Sequence, residues 1–314
     1  ASAEEMFKHA MMGAPGHHST SDFPLVLGNV ARKSVLKGFD AQPETFDKWT
    51  STGRVSDFKQ VSAVGVGNFS NLAPVVEGGE YTYGTFGERG QTITIGKFGK
   101  MFAITWEAII NDDLGVLGRV PRRMGAAARR LLGNLAYGVL TGNPTLADGN
   151  ALFHASHANL ATGGGSALST ASLVTALVAM SKQTNPGAAA GEATALNIAP
   201  KYLIVPKALE FAAIEIVSSP TKLDQANPAV KNPLAGRFEV VADPRLDAAS
   251  TTAWYLAGDP DAYDTIEMTY LDGNEKPHTA EEEGFSIDGT RYKVRQVAGA
   301  NPLDFRALYK ANGG

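Results

Sequence analysis

The sequence predicts an α+β chain: a polar N-terminal arm, a projecting hairpin, one long helix, an inserted α/β unit and a strand-rich tail. Three observations carry this. Residues 116–141 repeat apolar side chains at helical spacing and stop at Gly142-Asn143-Pro144. Residues 76–105 alternate in the strand period around a glycine-rich turn composition. From about 165 to 256, helical and strand patterns follow one another, and residues 264–298 then read almost wholly as strands.

The arm comes first. Residues 1–24 are small and polar, with His17, His18, Ser19, Thr20 and Ser21 clustered. Asp22 is a candidate cap for a helix starting near Pro24, whose apolar side would hold Leu25, Leu27, Val30, Val35 and Leu36.

The hairpin follows. Tyr81 and Tyr83 alternate with Thr82 and Gly84, and Thr92 and Thr94 with Ile93 and Ile95. Gly87-Glu88-Arg89-Gly90 between them has a turn composition. An isolated two-stranded ribbon is marginal in water, so it needs a surface to lie on. Two readings stay open: a hairpin within one subunit's sheet, or an arm that packs on a neighbouring chain.

In the long helix, Pro121 suits a first turn. Val120, Met124, Ala127, Leu131, Leu135 and Gly138 fall on one side, and Arg122, Arg129 and Arg130 on the far side with Arg119 and Arg123 flanking. That basic face is either a solvated surface or a contact for nucleic acid or another subunit.

The α/β unit is expected to hold a helix at 170–183 capped by Ser169, a buried strand at 202–205 and a helix at 207–218. Strands near 237–242 and 253–257 complete it. In the tail, Asp272-Gly273 and Asp288-Gly289 signal turns, and RYKVRQVAG reads as an alternating strand.

Composition narrows the chemistry. The chain has 314 residues, 44% hydrophobic and 19% charged, enough for two compact domains or one with long excursions. It has no cysteine, which removes disulfides, Cys-ligated zinc and thiol catalysis. A formal charge of −4 argues against a sequence-reading nucleic-acid binder, though not against a wall that merely encloses nucleic acid. No apolar run approaches the roughly 20 residues of a membrane span, and the N-terminus lacks a signal-peptide core, so neither membrane insertion nor secretion is expected.

No catalytic pattern emerges. NALFHASHANL (150–160) places His154 and His157 three residues apart, but zinc needs further ligands and the H-E-x-x-H pattern is missing. Both are expected to be structural loop histidines, with a metal-dependent hydrolase as the distant alternative. Ser166 lacks the last glycine of G-x-S-x-G, and no phosphate-binding loop occurs. GVG at 65–67 lacks a third glycine, and Glu281-Glu282-Glu283 and Asp112-Asp113 suit solvated or turn roles. No cofactor or metal is expected. An exposed arm, a hairpin needing a partner and no site is the profile of an assembly protein.

Several phrases add a resemblance. HSTSDFP (18–24), EGGEYTYGTFGERGQTITIGKFGKMFAIT (77–105), INDDLG (110–115), NPTLADGNALFHASHANLA (143–161), LIVPKALE (203–210), VVADPRLD (240–247), WYLAGDP (254–260) and EEEGFSIDGTRYKVR (281–295) occur in this order. Together they resemble the major head subunit of Mu-type tailed phages, a family of the Hong Kong 97 type of capsid fold.

The resemblance implies an N-terminal arm (1–50), a first part of a peripheral domain (51–75) and an extended loop (76–104). It further implies a peripheral domain with a spine helix at 117–141 (105–159), an axial domain (160–255) and returning peripheral strands (256–314). The implied function is a structural subunit forming pentamers and hexamers of an icosahedral virion head around double-stranded DNA, assembled in the bacterial cytoplasm. Its partners would be further copies of itself, a portal protein, a scaffold and prohead protease during assembly, a decoration protein and the packaged DNA, with no membrane. Tyr81, Tyr83, Phe86, Glu88, Arg89, Ile93 and Ile95 would make the inter-subunit contact, and Arg119, Arg122, Arg129 and Arg130 a lumenal or interface face. Seventeen residues precede His18, leaving no room for the Clp-like protease that some relatives carry there. Arg89 near the hairpin tip cannot form the lysine–asparagine cross-link of some capsids of this fold, so no covalent chainmail is expected. A non-viral encapsulating shell of the same fold is the nearer alternative.

Overall fold

The computed structural model describes residues 22–69, 86–105, 114–184, 195–221, 230–283 and 289–314. Helix α1 (Asp22–Ala41) opens the described chain, followed by strand β1 (Thr50–Val55). Among the described residues strands β2 (Val61–Phe69) and β3 (Phe86–Ile93) pair only with each other, antiparallel, with an irregularity between Val66 and Phe69. The turn expected at 87–90 is therefore a correction. Gly87-Glu88-Arg89-Gly90 lies inside β3 and pairs with 64–66 and beyond, because a strand far back in sequence supplies the ladder and outweighs local turn composition.

Strand β4 (Gly96–Thr105) belongs to a five-stranded sheet with β1, β9 (Ile266–Leu271), β10 (His278–Glu283) and β11 (Gly289–Pro302). The long β11 organises it. Its first part pairs with β4 and β10, and its last residues pair with β9. The alternation read from RYKVRQV holds: Tyr292, Val294 and Gln296 are buried while Arg291, Lys293 and Arg295 are exposed.

Helix α2 (Leu114–Gly142) packs on this sheet. It ends as expected, with Asn143 at φ 47° and its side chain tied to Phe153 by bonds of 2.7 and 3.1 Å. Two expectations are corrected. Pro121 stands well inside the helix, not in its first turn. The buried side also runs about one residue further round, through Pro121, Gly125, Ala128, Leu132, Ala136 and Leu140. The cause is the partner. A Cβ on Gly38 would collide with the Arg122 carbonyl, and one on Gly125 with the Val35 carbonyl, so α1 and α2 touch backbone to backbone. Small residues, invisible to a count of large apolar ones, set the contact.

The second sheet runs in the order β5 (Leu160–Ala161), β12 (Leu308–Ala311), β8 (Trp254–Gly258), β6 (Pro200–Pro206), β7 (Glu239–Asp243). Alternate residues of β6 and β8 face two cores. Tyr202, Ile204 and Tyr255 join the core under α2; Leu203, Val205, Trp254 and Leu256 join helices α3 (Thr170–Ser181) and α4 (Glu210–Ser218) on the other face. A strand buried on both faces reads as a continuous apolar run, which is why YLIV gave no alternation. Ser169 caps α3 through a reciprocal box: its hydroxyl accepts from Ser172 N at 3.1 Å, and Ser169 N donates to Ser172 Oγ at 3.0 Å. A short helix α5 (Pro244–Asp247) follows β7. The last strand, β12, completes this second sheet rather than the first.

Candidate functional site

The histidines were the leading chemical candidates. His154 caps a 3₁₀ turn at 155–157, is exposed, and bonds Ser156 Oγ at 2.6 Å. His157 is buried, stacked on Phe305 with ring centroids 3.8 Å apart. Its Nε2 meets Asp148 Oδ2 at 2.6 Å and its Nδ1 lies 3.3 Å from the Leu152 carbonyl. Burial pushes the Asp148 carboxyl up, but hydrogen bonds from His157 and Asn150 outweigh it and hold the carboxyl below its ordinary value. The two rings sit 6.1 Å apart and edge-on. Among the described residues no three His, Asp or Glu side chains converge as metal ligands. Ser166 donates to the Gly163 carbonyl at 2.7 Å and accepts from Gly314 N at 2.9 Å, so its hydroxyl holds a loop and the chain's end together. This cluster fastens the 143–166 loop to β12 and the body.

The ribbon β2–β3 is the second candidate. Tyr81 and Tyr83 lie outside the described residues, as do Asp112 and Asp113; of Phe86, Glu88 and Arg89 only the strand backbone is described. Ile93 is buried at the ribbon's base and Ile95 half-buried, so Ile93 serves the subunit's own packing rather than a neighbour. The base is clamped. Asn301 accepts from Thr94 N at 3.0 Å and donates to the Thr94 carbonyl at 3.1 Å. A Cβ on Gly299 would strike that same carbonyl, so only glycine lets the chain cross there. Gln91 Oε1 accepts from Ala147 N at 3.1 Å.

The basic face of α2 divides. Arg119, Arg122 and Arg130 are exposed, and Arg130 reaches Gln42 Oε1 at 3.3 Å. Arg129 does not belong with them. It is largely buried, ion-paired to Asp47, and its guanidinium lies over Phe39 (5.3 Å) and Phe46 (5.0 Å). Burial raises the Asp47 carboxyl against the pull of Arg129. Arg129 anchors the segment after α1, a role no spacing rule reveals because Asp47 is 82 residues away.

Sequence reading missed two further features. Arg245 grips Glu44 with two bonds of 2.8 and 2.9 Å, reaches Asp243 at 3.0 Å and bonds Asn134 at 2.7 Å. Beside it, burial pushes the Tyr137 hydroxyl up to about 12, and that hydroxyl shares a 2.6 Å bond with Thr45. The other feature is apolar. Val174 and Val178 on α3, and Phe211 and Ile214 on α4, face away from the second sheet; Phe211 is 80% exposed. The signal was present: both helices are apolar nearly all round, which a helix lying on one sheet does not require.

Residues 88–311 match the family described as phage capsid protein. The procapsid of bacteriophage JBD30 aligns at TM-score 0.54 and 15% identity, covering 94% of this chain and 76% of that one. The capsid of cyanophage P-SCSP1u aligns at 0.53 and 11%, covering 86% and 88%. A phage-related protein of Bordetella bronchiseptica RB50 aligns at 0.50 and 13%, covering 92% and 96%. No curated protein sequence matches the chain.

Proposed function

This chain belongs to the phage capsid protein family and has the Hong Kong 97 type of capsid fold, and from that premise we propose how it builds a shell. It is a structural component of a virion shell and not an enzyme. On our reading it is the major head subunit of a Mu-type phage. Copies associate into pentamers and hexamers that close into an icosahedral head around double-stranded DNA, in the cytoplasm of the bacterial host. A portal protein, a scaffold, a prohead protease and a decoration protein are the partners such assembly would use.

Within the subunit we assign residues 1–50 to the N-terminal arm, the unit around α2 and the first sheet to the peripheral domain, and 160–255 to the axial domain, with β12 completing the axial sheet. The exposed apolar side chains of α3 and α4 fit a contact around the axis of a capsomer, where burying them removes apolar area from water. Phe211 is the natural anchor there, since large aromatics dominate such patches. Arg119, Arg122 and Arg130 face packaged DNA or a neighbouring copy.

One observation carries the reading. Among the described residues the ribbon β2–β3 has no third strand, while its base is clamped by Asn301 and Gln91. A two-stranded ribbon with a fixed base and no sheet of its own gains stability from a neighbour. Val64 and Gly90 pair directly, so replacing residues 65–89 by Asn-Gly closes the ribbon with a two-residue turn. Circular dichroism should report an unchanged fold, and sedimentation velocity a species that no longer forms shells. A shortened chain that assembles like the parent overturns the ribbon's role.

A further inference from the structure

Strand β11 has two different neighbours along one edge. Its residues 290–295 pair with β10 and 298–302 with β9, both on the edge away from β4. Residues 296 and 297 meet neither of them. There the chain leaves the sheet as a loop over 272–277, held by a 3.0 Å bond from Gln296 Nε2 to the Glu275 carbonyl. Helix α1 runs beside β10 past this break. At one end a Cβ on Gly28 would strike the Glu281 carboxyl, and at the other Asp40 meets Lys276 at 3.3 Å. Arg32 and Leu36 lie between, one helical turn apart on the same side of α1.

The break opens a cleft of about 310 Å³, within the roughly 300–1,000 Å³ of small-ligand sites. Every charged or titratable side chain lining it is basic: Arg32 from α1, Lys276 from the loop, His278 from β10 and Arg295 from β11. His278 and Arg295 are direct cross-strand partners. Arg32, His278 and Arg295 are exposed and have no ion pair among the described residues. Among those residues no carboxylate lines the cleft, and Asp40 just outside it engages Lys276 alone. The chain as a whole carries a formal charge of −4, so this excess of cations is local. Leu36, Leu271 and Val297 supply an apolar wall, which concentrates the field of the cations on whatever enters.

We propose that this cleft is a binding site for a phosphate-class oxyanion, which ties α1 to the first sheet. Two guanidiniums from different elements each present a planar fork of N–H donors to such a group. The Lys276 ammonium and the His278 ring add further donors. A lone carboxylate brings one negative charge and leaves most of these cations unmatched, whereas phosphate or pyrophosphate balances them. Once bound, the anion replaces repulsion between Arg32 and Arg295 with attraction to a common partner. The phosphate belongs either to a free ion or to the backbone of DNA, and the test separates the two.

The test is calorimetric titration of the full-length chain with pyrophosphate in dilute salt. Binding should saturate at one ion per chain. R32Q and R295Q should each weaken it by about tenfold or more, the worth of one charge-assisted contact. K293Q removes an exposed cation of β11 that does not line the cleft, and it should bind like the parent. D40N removes the one nearby carboxylate and frees Lys276, so it should tighten binding by up to about fivefold. Should the arginine variants fold poorly, D40N decides, because it takes no cation away. Absence of saturable binding overturns the proposal. So do parental affinity in both R32Q and R295Q, a loss in K293Q as large as in R295Q, and weaker binding in D40N. Repeating the titration with a short DNA duplex present identifies the source. A duplex that displaces pyrophosphate assigns the cleft to the DNA backbone, and undisturbed pyrophosphate binding assigns it to a free ion; either result upholds the site.

Discussion

Gly125 of α2 lies against the backbone carbonyl of Val35 in α1, too close for any side chain between them. Gly38 of α1 answers it against the Arg122 carbonyl. Helix α1 is thus seated by two glycines, one from each partner. Helix propensity alone would favour Gly125→Ala by up to about 1 kcal/mol. The contact is with backbone, which cannot swing aside, so the variant should instead lose about 1–3 kcal/mol of stability. Urea unfolding of Gly125→Ala against Gly138→Ala, a helix glycine with open space around it, separates the two effects; equal stabilisation of both would contradict the close seat.

Arg245 is expected to matter more than any other charged residue described. The Glu44 side chain is only 2% exposed, and Arg245 supplies its paired bonds. Arg245→Ala leaves a buried carboxylate without its partner, a change that costs about 3–5 kcal/mol. Thermal unfolding should fall sharply, whereas Arg130→Ala, on the exposed side of α2, should shift it little. A mild effect at Arg245 would mean that water replaces the guanidinium.

Much of this architecture was legible in the chain itself. The long helix, the Ser169 cap, the buried YLIV strand and the alternation of RYKVRQV all depend on neighbours within a few residues, where spacing rules apply. What escaped depended on distant partners. Gly87–Gly90 looked like a turn until β2 paired with it. Arg129 looked like one of a basic face until Asp47 and two phenylalanines enclosed it. The Arg245–Glu44 grip joins residues 201 positions apart, and no local pattern marks such a pair.

The Asp148–His157 contact carries a pH signature. A carboxyl held below its ordinary value contributes stability that is complete above the unfolded value of about 3.9 and is lost as pH falls through the lower folded value. The Asp148 side chain is 42% exposed, so solvent screening keeps the contribution small. His157→Phe keeps a ring on Phe305 but loses the bond. Its deficit against the parent should be steady just above the ordinary carboxylate range and shrink in more acidic urea titrations. A deficit independent of pH there would deny the pairing. Elemental analysis of the parent should find zinc far below one per chain.

Assembled particles should dissolve in denaturing detergent to a single monomer band. Lys97 and Lys100 both sit within β4, paired to β11 rather than on a free tip, Arg89 within β3 cannot form an amide cross-link, and residues 70–85 between β2 and β3 contain no lysine. A ladder of multimers after boiling in detergent would show that covalent joining occurs after all.

Electron cryomicroscopy of the purified full-length protein tests the account most directly. The expected image is closed shells in which the β2–β3 ribbon of each copy rests on its neighbour. Protein that stays monomeric at every concentration, with the ribbon folded onto its own body, would contradict it.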